Sequence, residues 1–463
     1  MREFEVVIDE AFKNGLCPDR TIPFNSQVLY QCLGFRLAKY GLEPYLQLDN
    51  PIPGTFTMLY EWPAPQIIVG KNFNILMMRN TLNARDEFYT ISNDMQTITS
   101  IYNASHTIYP GYGRLEMADF GPYIFFTSGG IMFYYDVTTH TWQKNVAFTN
   151  IPMMKTICNF KGRAVGGNIR SGTWYGCDST YYIWSQIGCM VFTPGEMNEA
   201  GYARCPFGGE VYHVRRMGDV VVGYSSKGVT FLVPACDPAP AFGFKELSDI
   251  GLINQGAMDG DWRRQVYLGS DYVLREVTQE GVKELGYQWL METLAGDNDV
   301  IISYEPINRD FYISNGSITF LLSPYGLTQV TQHPCTIWSI GNVSYMLPDT
   351  DDESDYLITS WPFDFGYRGQ KTNFTVESDA IDFTSGYGGL DYLLNQTWKT
   401  ASYSQLNNQG ISSIIASGDA FRYRLKFESL DSDFKVGFIK GRYKMTDLRG
   451  IRGVYAPPIR GQG

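Results

Sequence analysis

One pattern recurs through the middle of this chain: an apolar strand of four to six residues, a tight turn, then a second apolar strand. "QIIVGKNFNILMM" begins at Gln66, "PYIFFTSGGIMFYYDV" at Pro122 and the degenerate "GRAVGGNIRSGTWYG" at Gly162. "DVVVGYSSKGVTFLV" begins at Asp219, "RQVYLGSDYVLREV" at Arg264 and "RDFYISNGSITFLL" at Arg309. Turns rich in Gly, Ser, Asn or Asp between apolar runs of period two are hairpin signals. The starts lie roughly 40 to 57 residues apart, and a period near 45 built from hairpins is what a four-stranded propeller blade requires. Solenoid repeats are shorter and more regular, and a β-sandwich has no such period. About six units predict a β-propeller of about six blades over residues 64–340.

Composition agrees with many short strands and turns. Of 463 residues, 32 are Tyr, 28 Phe and 47 Gly, an excess that suits strands and tight turns over helices. "YYIWSQIGCMVFTP" (Tyr181–Pro194) is rich enough in chemistry to resemble part of an active site. It follows the third hairpin, however, so its aromatics are expected where blades pack face to face, with Trp184 and Phe192 in the core.

The two ends depart from the period. "NSQVLYQCLGFRLAKYG" opens on Ser26 as an N-cap, carries Val28, Leu29, Cys32 and Leu33 at helical spacing and stops at Gly41, which predicts a helix within an N-terminal segment 1–63. After residue 340 four strand-like runs, "YLITSWPFDF", "NFTVESDAIDF", "FRYRLKFES" and "FKVGFIKGRYKM", predict a small C-terminal β-domain over 341–447. A Gly/Pro-rich basic arm, 448–463, follows. The fold class expected is therefore mainly β: a propeller, a short helical N-terminal segment and a small C-terminal β-domain.

Charge is unevenly spread. The chain carries −11 overall, but Phe421–Gly463 holds ten Lys or Arg against four acids, so the remainder carries −17. An acidic body argues against gripping nucleic acid with the whole surface. A basic end suits an acidic or phosphate-bearing partner, or equally a sheet edge protected by lysines. "MREFEVVIDEAF" has acids where an export signal has an apolar core, and no apolar run is long enough to span a bilayer.

Little in the sequence advertises catalysis. The eight cysteines form no C-x-x-C pair, which points to free thiols over a zinc site or disulfide framework. The four histidines (His106, His140, His213, His333) form no H-x-x-x-H or H-E-x-x-H pattern, and no G-x-S-x-G elbow nominates a serine. Asp259, Asp261, Asp297, Asp299, Glu305 and Asp310 are expected in or beside turns, where acids cap, although a propeller glycosidase would need such carboxylates in a pair. "DTDDESD" (349–355) has Ser354 and Ser360 where a calcium loop from Asp349 needs Gly and Glu. No catalytic residue, metal or cofactor is expected.

The order of segments from Gly218 to Trp338 resembles the packaged-DNA stabilisation, or tail hub, proteins of short-tailed bacteriophages. "GDVVVGYSSKGVTFL", "DPAPAFGFKELSDIGLINQGAM", "VYLGSDYVLREV", "METLAGDNDVIISYEPINRDFYIS" and "FLLSPYGLTQV…TIW" follow the order of that family's hairpins. "GSDYVL" stands where the family has a turn like "NGxLY". The closing "FRYRLKFESLDSDFKVGFIKGRYKM" is similar to the family's last hairpin. The resemblance implies a virion tail protein, assembled in the host cytoplasm, that forms a sixfold ring (hub or nozzle) below the portal and its adaptor ring. Such a ring carries needle, fibre or spike proteins, extends the DNA channel and retains the genome until ejection. DNA would pass without sequence-specific binding, because an acidic lumen repels its backbone. Lys440, Arg442, Lys444, Arg449 and Arg452 are the candidates for docking on an acidic adaptor. The alternatives are a tail adhesin or other carbohydrate-binding propeller, and a propeller glycosidase.

Overall fold

Each recurrent hairpin becomes part of a four-stranded meander. The computed structural model describes residues 3–45, 47–52, 66–70, 73–80, 85–101, 114–130, 132–144, 151–172, 174–195, 198–235, 241–296, 298–347, 356–367 and 369–446. Five four-stranded antiparallel sheets follow one another in chain order. Blade 1 holds Gln66–Val69, Asn74–Asn80, Arg85–Ile91 and Ile98–Ser100; blade 2 holds Glu116–Asp119, Tyr123–Thr127, Phe133–Asp136 and Thr141–Lys144. Blade 3 holds Met154–Phe160, Arg163–Ile169, Tyr181–Trp184 and Gly201–Arg204. Blade 4 holds Val211–Met217, Val220–Ser225, Val229–Pro234 and Phe242–Ser248, and blade 5 holds Met258–Gly260, Gln265–Leu268, Leu274–Thr278 and Gly281–Gly286. Two further antiparallel pairs, Ile301–Glu305 with Asp310–Ser314 and Thr336–Ile340 with Val343–Leu347, start blades 6 and 7. In most blades the repeat seen in the sequence is the central hairpin, formed by the second and third strands. The fold is mainly β and built on propeller lines.

The first strands form a cycle within one unit, Gln47–Thr319 with Gln332–Asp351. Gln66 exchanges two 2.8 Å hydrogen bonds with the backbone of Leu115, joining blades 1 and 2. Asn159 Nδ2 donates to Asp119 O at 2.6 Å, and Val214 N donates to Thr156 Oγ1 at 2.9 Å. Blade 5 meets blade 4 through its second strand, where Gln265 Nε2 donates to Arg216 O; Tyr304 N then donates to Asp259 Oδ2 and Ser303 Oγ to Cys335 O. Ile67 N then donates to Thr336 Oγ1 at 3.4 Å, returning the cycle to blade 1. Among the described residues seven first strands take part, one more than the hairpins read from sequence. The seventh pair begins well short of one period after Arg309. A parallel bridge from Asp49, far upstream, joins its second strand at Tyr345.

Apolar clusters fill the spaces between blades. Phe73, Ile75, Phe88, Ile124, Phe126 and Phe133 lie between blades 1 and 2. Phe125, Tyr134, Ile157, Ile183 and Phe192 lie between blades 2 and 3, and Val165, Tyr182, Trp184, Val214 and Leu232 between blades 3 and 4. Trp184 and Phe192 are buried core residues, as expected. Each such side chain contributes about 1.5–3 kcal/mol through burial. Face-to-face packing also needs places where a side chain is missing. A Cβ at Gly223 would stand 2.3 Å from the Tyr182 hydroxyl and 2.6 Å from its ring. Gly223→Ala is expected to cost about 1–3 kcal/mol by overpacking, measured as a lower urea midpoint at unchanged slope. No loss would mean that Tyr182 moves freely.

The other unit comprises Met1–Leu46, Phe320–Thr331 and Asp352–Gly463. The chain's two ends thus share one unit, where the sequence predicted a separate segment 1–63 and a domain 341–447. Glu3–Ile8 pairs antiparallel with Ile439–Met445, which pairs with Lys371–Ser378, and that strand pairs with Ile411–Gly418. A second run is Leu29–Leu33, Tyr356–Ser360, Phe421–Phe427, Gly386–Leu394 and Thr397–Gln405. The helix expected over 26–41 is absent; that stretch forms the strands Leu29–Leu33, Phe35–Ala38 and Gly41–Pro44. A bulge between Leu29 and Gln31 shifts the alternation, so that Leu29 and Cys32 are both buried at a spacing that imitates a helix. Pairing with Tyr356–Ser360 then overrides local preference. The α-helices among the described residues are four-residue turns at Ala11–Asn14 and Gln288–Met291. The acidic loop 349–355 and the arm 448–463 lie outside the described residues.

This unit contains a fully buried lysine. The Lys371 ammonium donates to the carbonyls of Tyr367, Gly369 (2.8 Å) and Asp419 (2.8 Å). Three donors meet three acceptors, which is the condition for keeping an ammonium out of water.

Candidate functional site

Strands buried on both faces normally carry continuous apolar residues. Three first strands of the propeller depart from this by carrying charged or titratable residues. Glu116, with Arg114 just before its strand, comes from blade 2; His213 and Arg215 come from blade 4; Asp259 comes from blade 5. A bulge between Val211 and His213 shifts the register at the histidine. These side chains, with Gln66, Met258, Ile302 and Thr336, line a cavity of about 200 Å³.

Glu116 is the hub of the cluster and is only 2 % exposed. Its Oε1 accepts from His213 Nδ1 at 2.7 Å and from Arg215 Nη2 at 3.1 Å. Burial raises the Glu116 pKa, but Arg215 and His213 outweigh it, so the carboxyl lies below its ordinary value. Burial likewise opposes the charge on Arg215, and Glu116 and Asp259 overcome it, leaving that guanidinium above its ordinary value. For Arg114 the balance tips the other way: burial wins over Asp259, Cys335 and Glu116.

His213 Nε2 contacts the carbonyl of Gln255. Both partners of His213 are oxygen acceptors, so each ring nitrogen is engaged within the cluster. Asp259 is also engaged, its Oδ1 by Gly260 N at 2.8 Å and its Oδ2 by Tyr304 N at 2.9 Å. Glu116 ties blades 2 and 4 together by charge-assisted hydrogen bonds, and Asp259 joins blade 5 to blade 6 through Tyr304 N. Two buried atoms of the cluster, Arg114 Nη1 and Glu116 Oε2, have no hydrogen-bond partner among the described residues.

The docking candidates sit elsewhere. Lys440, Arg442 and Lys444 lie on Ile439–Met445, between Glu3–Ile8 and Lys371–Ser378. Lys440 Nζ is 2.9 Å from Glu5 and 3.8 Å from Glu377; Arg442 Nε is 2.7 Å from Glu377 Oε1 and 3.3 Å from Glu5; Lys444 Nζ is 2.7 Å from Glu3. The three cations therefore form a ladder with three acids on the neighbouring strands. Arg449 and Arg452 lie outside the described residues. Among the acids expected to cap turns, Asp261 accepts from the backbone of Arg263 and Arg264, and Glu305 from Ile307 and Asn308. Asp259 lines the cavity, and Asp297 lies outside the described residues.

No family model and no curated protein matches this sequence. Among solved structures, PorZ, a surface component of the type-IX secretion system of Porphyromonas gingivalis, is 9 % identical with a TM-score of 0.36. That match covers 63 % of this chain and 35 % of PorZ, so the chain spans about a third of the length of that protein. Hsv2p of Kluyveromyces lactis is 10 % identical over 58 % of this chain and 84 % of its own, with a TM-score of 0.33. A chain of the mitotic checkpoint complex is 10 % identical over 69 % of this chain and 89 % of its own, with a TM-score of 0.38.

Proposed function

We propose that this chain is a structural protein of a phage tail, forming a ring of copies, a hub or nozzle, around the DNA path below the adaptor. The observation that carries the reading is the order of elements. Of the segments from Gly218 to Trp338 that resemble tail hub proteins, those outside Phe320–Thr331 lie in sequence on blades 4 to 7, and the basic segment Phe421–Met445 that ends the resemblance supplies strands to two sheets of the other unit. The Glu116 cluster narrows the space between the first strands to a cavity of about 200 Å³, so in this reading DNA runs between copies of the chain and not through one propeller. Docking through Lys440, Arg442 and Lys444 would exchange Glu3, Glu5 and Glu377 for acids of the adaptor, a swap of near-equal pairs sensitive to salt. Charge reversal at these three residues is expected to abolish ring assembly on the adaptor, read by co-sedimentation. Intact assembly overturns the docking.

One feature favours a second reading. A groove of about 910 Å³ between the outer strands of blades 3 and 4 is lined by Tyr202 and Phe244, both partly exposed, with Asn198 and Glu199 beside them. Aromatic faces next to hydrogen-bonding groups suit a carbohydrate, as an adhesin would need. Position in the virion separates the two readings: on the axis for a hub, at the periphery for an adhesin.

A further inference from the structure

The unit that holds both chain ends contains a four-stranded antiparallel sheet in the order Glu3–Ile8, Ile439–Met445, Lys371–Ser378, Ile411–Gly418. Its two outer strands are edges, and an edge offers a row of backbone N–H and C=O groups that only another extended chain can pair. Beyond the ladder, the backbone of Ser412–Gly418 takes one hydrogen bond among the described residues, from Asn373 Nδ2 to the Ile414 carbonyl at 3.2 Å. The backbone of Glu3–Ile8 likewise takes one, from Gln27 Nε2 to the Val7 carbonyl at 3.2 Å. Charge or proline on the strand normally guards such an edge. "ISSIIASG", residues 411–418, has neither.

The two edges match each other. Glu5 stands opposite Arg442, Arg442 opposite Thr375 and Thr375 opposite Ser413, so Glu5 and Ser413 share the outer face of the sheet. The register shift at Phe374 leaves the alternation along Ile411–Gly418 intact: Ser412, Ile414 and Ala416 are buried, Ser413 and Ile415 exposed. Val7 and Ile415 are therefore both on the outer face, where they are 46 % and 75 % exposed. The edge strands lie three antiparallel steps apart and run in opposite directions, so one laid beside a copy of the other continues the antiparallel order. With Val7 beside Ile415, the inner face sets Ile8 beside Ile414, Val6 beside Ala416 and Phe4 beside Gly418. Every inner pair is apolar, and Glu5 falls beside Ser417, so no charge meets its like.

We propose that Ile411–Gly418 of one copy of this chain pairs with Glu3–Ile8 of the next, so that the sheet continues from copy to copy. One such contact covers both edges of every copy, whereas Ile411–Gly418 paired with itself leaves Glu3–Ile8 open. A head-to-tail contact of this kind closes into a ring or grows into a filament. It names the contact within the ring of copies proposed above and rests on that reading for its closure.

The experiment is sedimentation velocity of the full chain over a range of concentrations. The wild type is expected to self-associate. Ile415→Glu puts an acid diagonally across from Glu5 and Asp9 of the next copy; Val7→Glu puts one beside Ile415. Both positions are exposed, so both variants are expected to fold with the wild-type Tm, and each alone to associate about tenfold more weakly or less. Mixed in equal amounts, they are expected to form dimers and nothing larger, because the mixture restores one unaltered pair of edges and no second. A wild type that stays monomeric up to its solubility limit overturns the proposal, as does Ile415→Glu associating like the wild type. Association kept in Val7→Glu but lost in Ile415→Glu shows Ile411–Gly418 pairing with itself, and a mixture that stays monomeric shows that the two edges are not each other's partners; either result overturns it. Association of the purified chain is read apart from its place in a virion, so failure of the tail reading leaves this result standing.

Discussion

Glu116→Leu is expected to lower the stability of the propeller unit by about 3–5 kcal/mol, because it leaves Arg215 and His213 beside an apolar group inside the cycle of strands. The comparison that isolates charge is Glu116→Gln, which keeps the shape and one acceptor, and its loss should be smaller. The same residue sets part of the acid limit. Its carboxyl is held below the ordinary value of about 4.5 once folded. Its contribution is therefore complete above that pH, and is lost as pH falls through the lower folded value. Urea midpoints between pH 3 and 7 should fall more steeply with acid in the wild type than in Glu116→Gln. Equal slopes would mean that Glu116 is not ionised in the cluster.

Lys371→Met in the other unit is expected to destabilise by about 3 kcal/mol, since three carbonyls lose their donor together. Charge burial works in the opposite sense, and pH exposes it. Burial lowers the Lys371 pKa to about 8, with Asp364 and Asp419 opposing the shift, whereas the unfolded group titrates near 10.5. Between those values the unfolded chain holds the proton that the folded chain has released, so stability rises with pH from about 8 to about 10.5. The Met variant should lack that rise. Chemical denaturation at pH 7 and pH 10 measures both effects; a variant as stable as the wild type at pH 7 would show that the three carbonyls find other donors.

How far the sequence reached follows from the range of each signal. Hairpins such as Asp219–Val233 were legible because period two and a turn are local, and the same locality put Trp184 and Phe192 in the core. The seventh pair, Thr336–Leu347, was not, because it breaks the 45-residue spacing and its neighbour, Asp49, comes from far upstream. The stretch 26–41 was misread because the bulge at Leu29 gave a strand the apolar spacing of a helix. The Glu116–His213 contact joins residues 97 apart, beyond any periodicity. Its trace was present all the same, in Arg114-x-Glu116 and His213-x-Arg215, charges alternating where inner strands should be apolar. The basic residues Lys440, Arg442 and Lys444 were legible locally, but the acids that face them are Glu3, Glu5 and Glu377, two of them at the opposite end of the chain.

The most direct test of the tail reading is electron cryo-microscopy of virions with this chain traced into the density. A sixfold ring on the tail axis in contact with the adaptor is expected, with DNA running between the copies and the Glu116 cluster closed within each propeller. Density for the chain at the tail periphery in threefold copies, or its absence from the particle, would contradict it.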